Sequence, residues 1–332
     1  MSESIYQIAN AGFEAARQLP GGSVHGHSFK LSALSLKSSI HKEVEDLIKS
    51  LNYKDLNELS NVTSDFGLAL HMAEQLPSLT ELRLQSAPGQ GVYLVGGQAL
   101  LWRHSRFEAA HQLPNVPDGH QCGRLHGHGF QVVLFAQASS SQAELEAQWQ
   151  PMQACLDQHY LNDIDGLENP TSEVLAQWLW QRMKPNFADL ALIVVQETVT
   201  AGCSFDGQHH RIWKQQDAEC AIYIPSQEQA LGHSYTVKLH LQAPLDKVMG
   251  WTVDYGDVKT LFKPIYQKMD HHCLNDLLGG IEPSAENIAL WLKSQLQSVL
   301  PQLYRIDLIE IPEQGVIIEW QNPIASSPRL MI

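Results

Sequence analysis

"HGHGFQVVLFAQ", residues 126–137, sets two histidines two places apart at the head of an apolar run. Residues two apart on a strand share a face, so His126 and His128 point the same way from a β-strand. The same Gly-His turn into a strand recurs in "HGHSFKLSALSL" from 25 and "LGHSYTVKLHLQ" from 231, starts that lie 101 and 105 residues apart. A second anchor reads "NYKDLNEL" from 52, "DQHYLNDI" from 157 and "DHHCLNDL" from 270. A third reads "VTSDFGLALHMAEQLP" from 62, "PTSEVLAQWLWQRMKP" from 170 and "PSAENIALWLKSQLQS" from 283. Each of these last stretches has a small polar cap, an early acid and apolar positions at helical spacing, which predicts a capped amphipathic helix. Each runs on into an apolar strand: "LTELRLQ", "LALIVVQET", "RIDLIEI".

Three anchors in the same order, three times, define three tandem units, each a β-hairpin, two helices and a strand. The joins fall near "GGQALLW" (96–102) and "QHHRIWKQQDAE" (208–219), dividing the chain into 1–100, 101–213 and 214–332. The third unit has a longer span between its first two anchors, and "PLDKVMGWTVDYGDVKTLF" there reads as an additional strand and a helix start.

The bulk composition narrows the function. At 332 residues, with 44% hydrophobic and 17% charged residues, the chain can bury a large core and belongs with soluble globular proteins. No apolar run reaches the roughly 18 residues that span a bilayer, and "MSESIYQIANAGF" lacks a signal-peptide pattern, so the expected compartment is the cytoplasm. Five cysteines without framework spacing fit a reducing compartment. A formal charge of −14, with 22 Lys and Arg thinly spread, argues against nucleic acid as a partner and favours a small molecule.

His126 and His128 reach one ion together, and His111, at the end of "RFEAAH", can join them across a hairpin. Three imidazoles with a fourth position open form a catalytic rather than a structural zinc arrangement. Zinc is the expected ion, although imidazole also suits iron, nickel and copper. The first unit places Arg17 where the second has His111, and the third keeps only His233. One metal per chain is expected.

"FEAAHQLPNVPDGHQCGRLHGHGF" (107–130), "LDQHYLNDIDGLENPTSEVLAQWLW" (156–180) and "VVQETVTAGC" (194–203) closely resemble 6-carboxy-5,6,7,8-tetrahydropterin synthase, of the 6-pyruvoyl-tetrahydropterin synthase superfamily. The resemblance implies an α+β tunnelling fold: units of antiparallel four-stranded sheet with two helices outside. Three tandem units then close one pseudo-trimeric, twelve-stranded β-barrel, and two chains stack as a homodimer. It further implies that His111, His126 and His128 bind zinc, that Cys122 is catalytic, and that Glu197 anchors the pterin ring. Thr171 and Ser172 fall where the family contacts the pterin.

The family's remaining catalytic pair, an adjacent Asp-His after the first helix, reads Asp157-Gln158 in the second unit and Asp270-His271 in the third. Glutamine cannot exchange a proton near neutral pH. His159 follows, one residue further along what reads as a helix end. Because the family's sites form at unit boundaries, the expectation is a composite site. The second unit supplies zinc ligands, Cys122 and Glu197, and the third supplies Asp270 and His271.

The implied reaction is the lyase step of the queuosine route that turns 7,8-dihydroneopterin triphosphate into 6-carboxytetrahydropterin, acetaldehyde and triphosphate. Cys122 would act as base, and Arg124, Arg103, Arg106 and Lys30 are candidates for the triphosphate. The alternatives are a 6-pyruvoyl-forming enzyme and an inactive zinc- and pterin-binding protein.

Overall fold

The computed structural model describes residues 3–19, 21–59, 62, 64–224, 226, 228–310, 314–320 and 328–330. Its strands and helices fall into three groups of like design. The first holds β1 (Glu3–Gln18), β2 (Val24–Ser35), α1 (Ile40–Leu51), β3 (Lys54–Asp55), α2 (Asp65–Glu74), β4 (Glu81–Ala87) and β5 (Gln90–Val95). The second holds β6 (Gln98–His111), β7 (His126–Gln137), α3 (Gln142–Leu156), β8 (His159–Tyr160), α4 (Ser172–Met183), β9 (Leu190–Thr198) and β10 (Ala201–Phe205). The third holds β11 (His210–Ile224), β12 (Gln229–Gln242), α5 (Tyr255–Met269), α6 (Leu274–Leu277), α7 (Ala285–Leu296), β13 (Leu303–Glu310) and β14 (Gln314–Trp320).

The two-residue β3 and β8 aside, the strands of the 14-stranded sheet follow one another antiparallel from β14 round to β1. β14 then pairs with β1, Ile5 opposite Ile318, so twelve strands close a ring with no free edge. The expected tunnelling fold is therefore present within one chain. The fourth strand of each group (β5, β10, β14) is the element that the repeat pattern alone leaves out.

Alternation along each strand divides its residues between two cores. On β7, Phe130, Val132 and Leu134 join the helix layer, with Trp149 of α3 and Leu175 and Leu179 of α4. Val133 and Phe135 point into the bore, beside Tyr93, Trp102, Val194 and Trp213. The helices start where side chains satisfy their first N–H groups. Ser64, Thr171 and Ser284 each accept a backbone N–H of α2, α4 and α7. Ser141 and Glu144 close a capping box on α3.

One local structure recurs in all three groups. Tyr53, Gln158 and His271 have φ of 59°, 60° and 58°, the left-handed region that side chains other than glycine rarely adopt. Each donates its N–H to a strand carbonyl, of Glu14, Glu108 and Glu219, at 2.6 Å. The residue before each, Asn52, Asp157 or Asp270, accepts the N–H of the same glutamate at 3.0, 2.8 and 3.0 Å. Two such bonds fix a conformation that costs of order 1 kcal/mol or more by itself.

The "GWTVDY" stretch is not a strand. Residues 243–254 form an extended loop, and α5 matches α1 and α3 rather than adding to them. The alternation suggested a ladder, but the Thr252 N–H goes to the Glu173 carboxylate at 2.8 Å, in the neighbouring group. His159 likewise lies in β8, beside Ala109 of β6, and not on a helix end.

Candidate metal centre and active site

β6 ends at His111 and β7 begins at His126, and these two residues face each other across the antiparallel pair. His128 sits one same-face step further along, opposite Ala109. The ligand atoms of His111, His126 and His128 all lie within 4.8 Å of one another, the one such cluster among the described residues. The His111 and His128 Nε2 atoms are 3.2 Å apart.

Two backbone carbonyls set the ring protons. His111 Nδ1 faces the Pro170 oxygen at 3.2 Å, and His126 Nδ1 faces that of Arg124 at 2.7 Å. With Nδ1 donating, both Nε2 lone pairs turn inward, as metal ligation requires. Burial, then the two neighbouring imidazoles, pull His111 down to about 4. It stays unprotonated, and mutually facing lone pairs at this distance fit a bound cation. The donor set suits zinc.

In the first group Arg17 stands in the corresponding place, buried, with its Nη2 2.6 Å from Asp65 and its Nε 3.4 Å from His27 Nε2. A guanidinium bonded to Asp65 and facing His27 stands where the second group has its third imidazole. In the third group, the His233 ring stacks on Tyr235 at 5.8 Å.

Cys122 lies in the loop between β6 and β7, half-buried and unpaired with another sulfur. Burial, then Glu197 and Asp254, push its thiol up, so with the protein groups alone it holds its proton. Glu197, at the end of β9, is 3.8 Å from His128. Burial and Glu173 push its carboxyl up to about 7, opposed by Lys214.

The third group closes the site from the side. The Thr171 hydroxyl donates to Gly250 O while accepting the Val174 N–H, so it is engaged within the protein. Ser172 Oγ is 2.9 Å from the Tyr255 hydroxyl. Asn115 and Asn169 donate to Val248 and Met249 carbonyls, both at 2.7 Å. His120 Nδ1 accepts the Cys122 N–H at 3.2 Å, and its Nε2 lies 3.2 Å from Asp254. Sequence reasoning missed His120, Glu173, Lys214, Asp254 and Tyr255. The length of the 243–254 loop was the one signal available.

Asp270 and His271 pair with each other at 2.9 Å, His271 largely exposed. No contact among the described residues links them to Cys122 or the triad. Their position is nonetheless defined. β12 occupies one edge of β11 along its length, whereas β10 of the second group pairs the other edge only as far as Lys214. Beyond that point, His271 N–H bonds Glu219 O, and Ala221 N–H bonds His272 O. The Asp-His segment thus lines the edge of β11 that faces the second group. By the same pairing, Gln158 lies along β6 on the side facing the first group.

Of the cationic candidates, Arg103 pairs with Glu146 and Arg106 with Glu108, and Lys30 lies exposed on β2 of the first group. Arg124 alone shares the Cys122 loop.

A twelve-stranded ring of tandem groups with one histidine triad at a group boundary defines the class. The family model described as 6-pyruvoyl tetrahydropterin synthase matches residues 100–208 and again 208–321, and the chain belongs to that family. Two characterised relatives align with about one group each. Dihydroneopterin monophosphate aldolase of Pyrococcus furiosus is 31% identical over 107 residues, 31% of this chain and 90% of the relative. The 6-carboxy-5,6,7,8-tetrahydropterin synthase of Synechocystis is 32% identical over 120 residues, 32% of this chain and 92% of the relative. The solved Caenorhabditis elegans 6-pyruvoyl tetrahydropterin synthase superposes with TM-score 0.30 at 18% identity, over 32% of this chain and 92% of that one.

Proposed function

We propose that the chain is a lyase converting 7,8-dihydroneopterin triphosphate and one water to 6-carboxy-5,6,7,8-tetrahydropterin, acetaldehyde and triphosphate, at one composite site per chain. The supporting observation is the division of parts. The group that keeps the histidine triad has Gln158 in place of the histidine, and the group that keeps Asp270-His271 carries it on the strand edge next to the second group. The proposed units 1–100, 101–213 and 214–332 part a few residues inside β6 and β11, the strands that open the second and third groups, and the chain would work in the cytoplasm as a homodimer of rings in the queuosine route.

Zinc on His111, His126 and His128 would supply Lewis acidity toward the substrate's side-chain hydroxyls. Glu197, as a carboxylate, accepts two N–H groups from the flat guanidine-like edge of the pterin. Ser172 and the Thr171 backbone border that ring. Cys122 takes a proton from the side chain, and His271, oriented by Asp270, exchanges one on the opposite face. Lys214 and Arg124 supply positive charge for the triphosphate.

The test is to incubate the zinc-loaded protein with 7,8-dihydroneopterin triphosphate and identify the products by mass spectrometry. 6-Carboxytetrahydropterin with acetaldehyde supports the reading. A 6-pyruvoyl or an aldolase product would reassign the reaction. Zinc and pterin retained without turnover would leave a binding protein.

A further inference from the structure

The bore of the ring holds charge as well as aromatic rings. On β12, Val237, Leu239 and Leu241 face the helices, so Thr236, Lys238 and His240 point inward. They meet Arg305 and Asp307 of β13, Glu81 and Arg83 of β4, Glu319 of β14, and Arg329 from the C-terminal segment.

Most of these charges are matched. Asp307 takes Arg305 at 2.7 Å on one oxygen and shares that oxygen with His240 Nε2 at 2.9 Å. Arg329 bridges Glu81 and Glu319. Lys238 is different. It stands opposite Asp307 in the β12–β13 register, yet Asp307 is already committed. Among the described residues Lys238 makes no ion pair, and its Nζ rests 4.6 Å from the centre of the Trp213 ring. It lies far from bulk water but retains accessible surface, because that surface faces a cavity of about 270 Å³. This is several times the roughly 30 Å³ share of one water. Arg83, Arg329, Ser32, Thr236 and Gln215 also line it, and so does the Asp307 carboxylate. Asp217, which accepts the Thr236 hydroxyl, is exposed.

We propose that this cavity is an anion site, in which Lys238, with the positive charge of Arg83 and Arg329 and the Ser32 hydroxyl beside it, holds a tetrahedral oxyanion of the phosphate class. Lys238 shares the one carboxylate of Asp307 with Arg305 and His240, whose hydrogen bonds occupy it, so the ammonium has no acceptor of its own. An oxyanion supplies charge and acceptors for its three N–H groups. Burial pulls Lys238 down to about 8, opposed by Asp307 and aided by Arg305. The site is separate from the metal centre and independent of the reaction proposed above.

Inorganic phosphate is the probe. In phosphate-free buffer, titrating it should raise the melting temperature of the wild type in a saturable way. Lys238→Met should melt higher than wild type without phosphate and bind phosphate at least tenfold more weakly. Lys238→Arg should keep the response, as should Lys214→Met at the metal centre. An unchanged response in Lys238→Met, or none in the wild type, overturns the proposal. Should Lys238→Met not fold, tungstate-soaked crystals of the wild type decide. An anomalous peak in the bore beside Lys238 is expected, and an empty bore refutes it.

Discussion

His120 and Asp254 meet at 3.2 Å across the boundary between the second and third groups, and the other nitrogen of the same imidazole accepts the Cys122 N–H. The loop that carries the thiol is thereby tied to the neighbouring group. Asp254 also caps α5 by accepting the Gly256 N–H at 2.6 Å. The cysteine's position therefore depends on where the third group's longest loop ends.

Asp254→Ala should loosen that loop without touching the triad. Zinc content stays at one per chain, while kcat/KM falls about ten- to a hundredfold, the scale of a misplaced reacting group. Iodoacetamide labelling of Cys122 should speed up as its surroundings open. Unchanged labelling and turnover would remove His120 and Asp254 from the site.

His271→Ala separates the composite site from a decayed one. The expected loss is about 10²–10⁴-fold in kcat, with zinc and pterin binding within a fewfold of wild type. Gln158→His should gain nothing at the second group's triad, because that residue lies on the first group's side. A gain from Gln158→His, or an unaffected His271→Ala, refutes the division of parts.

Metal content tests the triad and its lost copy together. His126→Ala should abolish bound zinc, measured by inductively coupled plasma mass spectrometry. Arg17→His should move the stoichiometry from one toward two, since His25 and His27 already stand in place. A single ion in Arg17→His would mean that Asp65 and the surrounding loop also block the first site.

Two buried histidines should make acid destabilise the chain, against the opposite contribution of Glu197, whose raised carboxyl binds its proton more tightly folded than unfolded. Burial holds both His240 and His210 down to about 4, Asp307 opposing it at His240. Unfolded histidine takes a proton near 6.5. Between these values the unfolded chain binds more protons, so stability falls as pH drops from 6.5 toward 4, by at most about 3 kcal/mol per histidine. Denaturant titrations at several pH values measure this. A flat profile in that window for Glu197→Gln, which removes the opposing carboxyl, would show the imidazoles reaching water. Asp307, held below the usual carboxylate range, acts only at lower pH.

Arg329→Met should cost about 3–5 kcal/mol, because Glu81 and Glu319 then remain buried without their cation. Glu81→Gln in the same chain should restore part of it. An Arg329→Met melting temperature equal to wild type would mean that the bore is wet there.

The ligand triad and the repeat were legible because they are local: an i, i+2 histidine pair and anchors in constant order. The His111 contribution needed only a hairpin. The remainder of the site was hidden because its contacts cross groups. Thr252 reaches Glu173, and Tyr255 reaches Ser172, over about 80 residues of sequence. Nothing in the spacing of "GWTVDY" distinguishes a ladder partner on its own sheet from a carboxylate on another. Glu173 itself read as an ordinary first-turn acid, though it is buried and ties the loop down. The bore charges were equally silent, since alternation tells which face a residue takes but not that inward faces of four strands converge.

Closure through β14 and β1 makes the ring a property of one covalent chain. In a ring assembled from identical subunits, any substitution appears three times, so no site can lose a ligand while another keeps it. Here each position changes alone. Arg17, Gln158 and Leu231 stand where a symmetric ring would require His in all three copies or in none. Joining the groups end to end turns three equivalent boundaries into three different ones, and the assembly does not come apart on dilution.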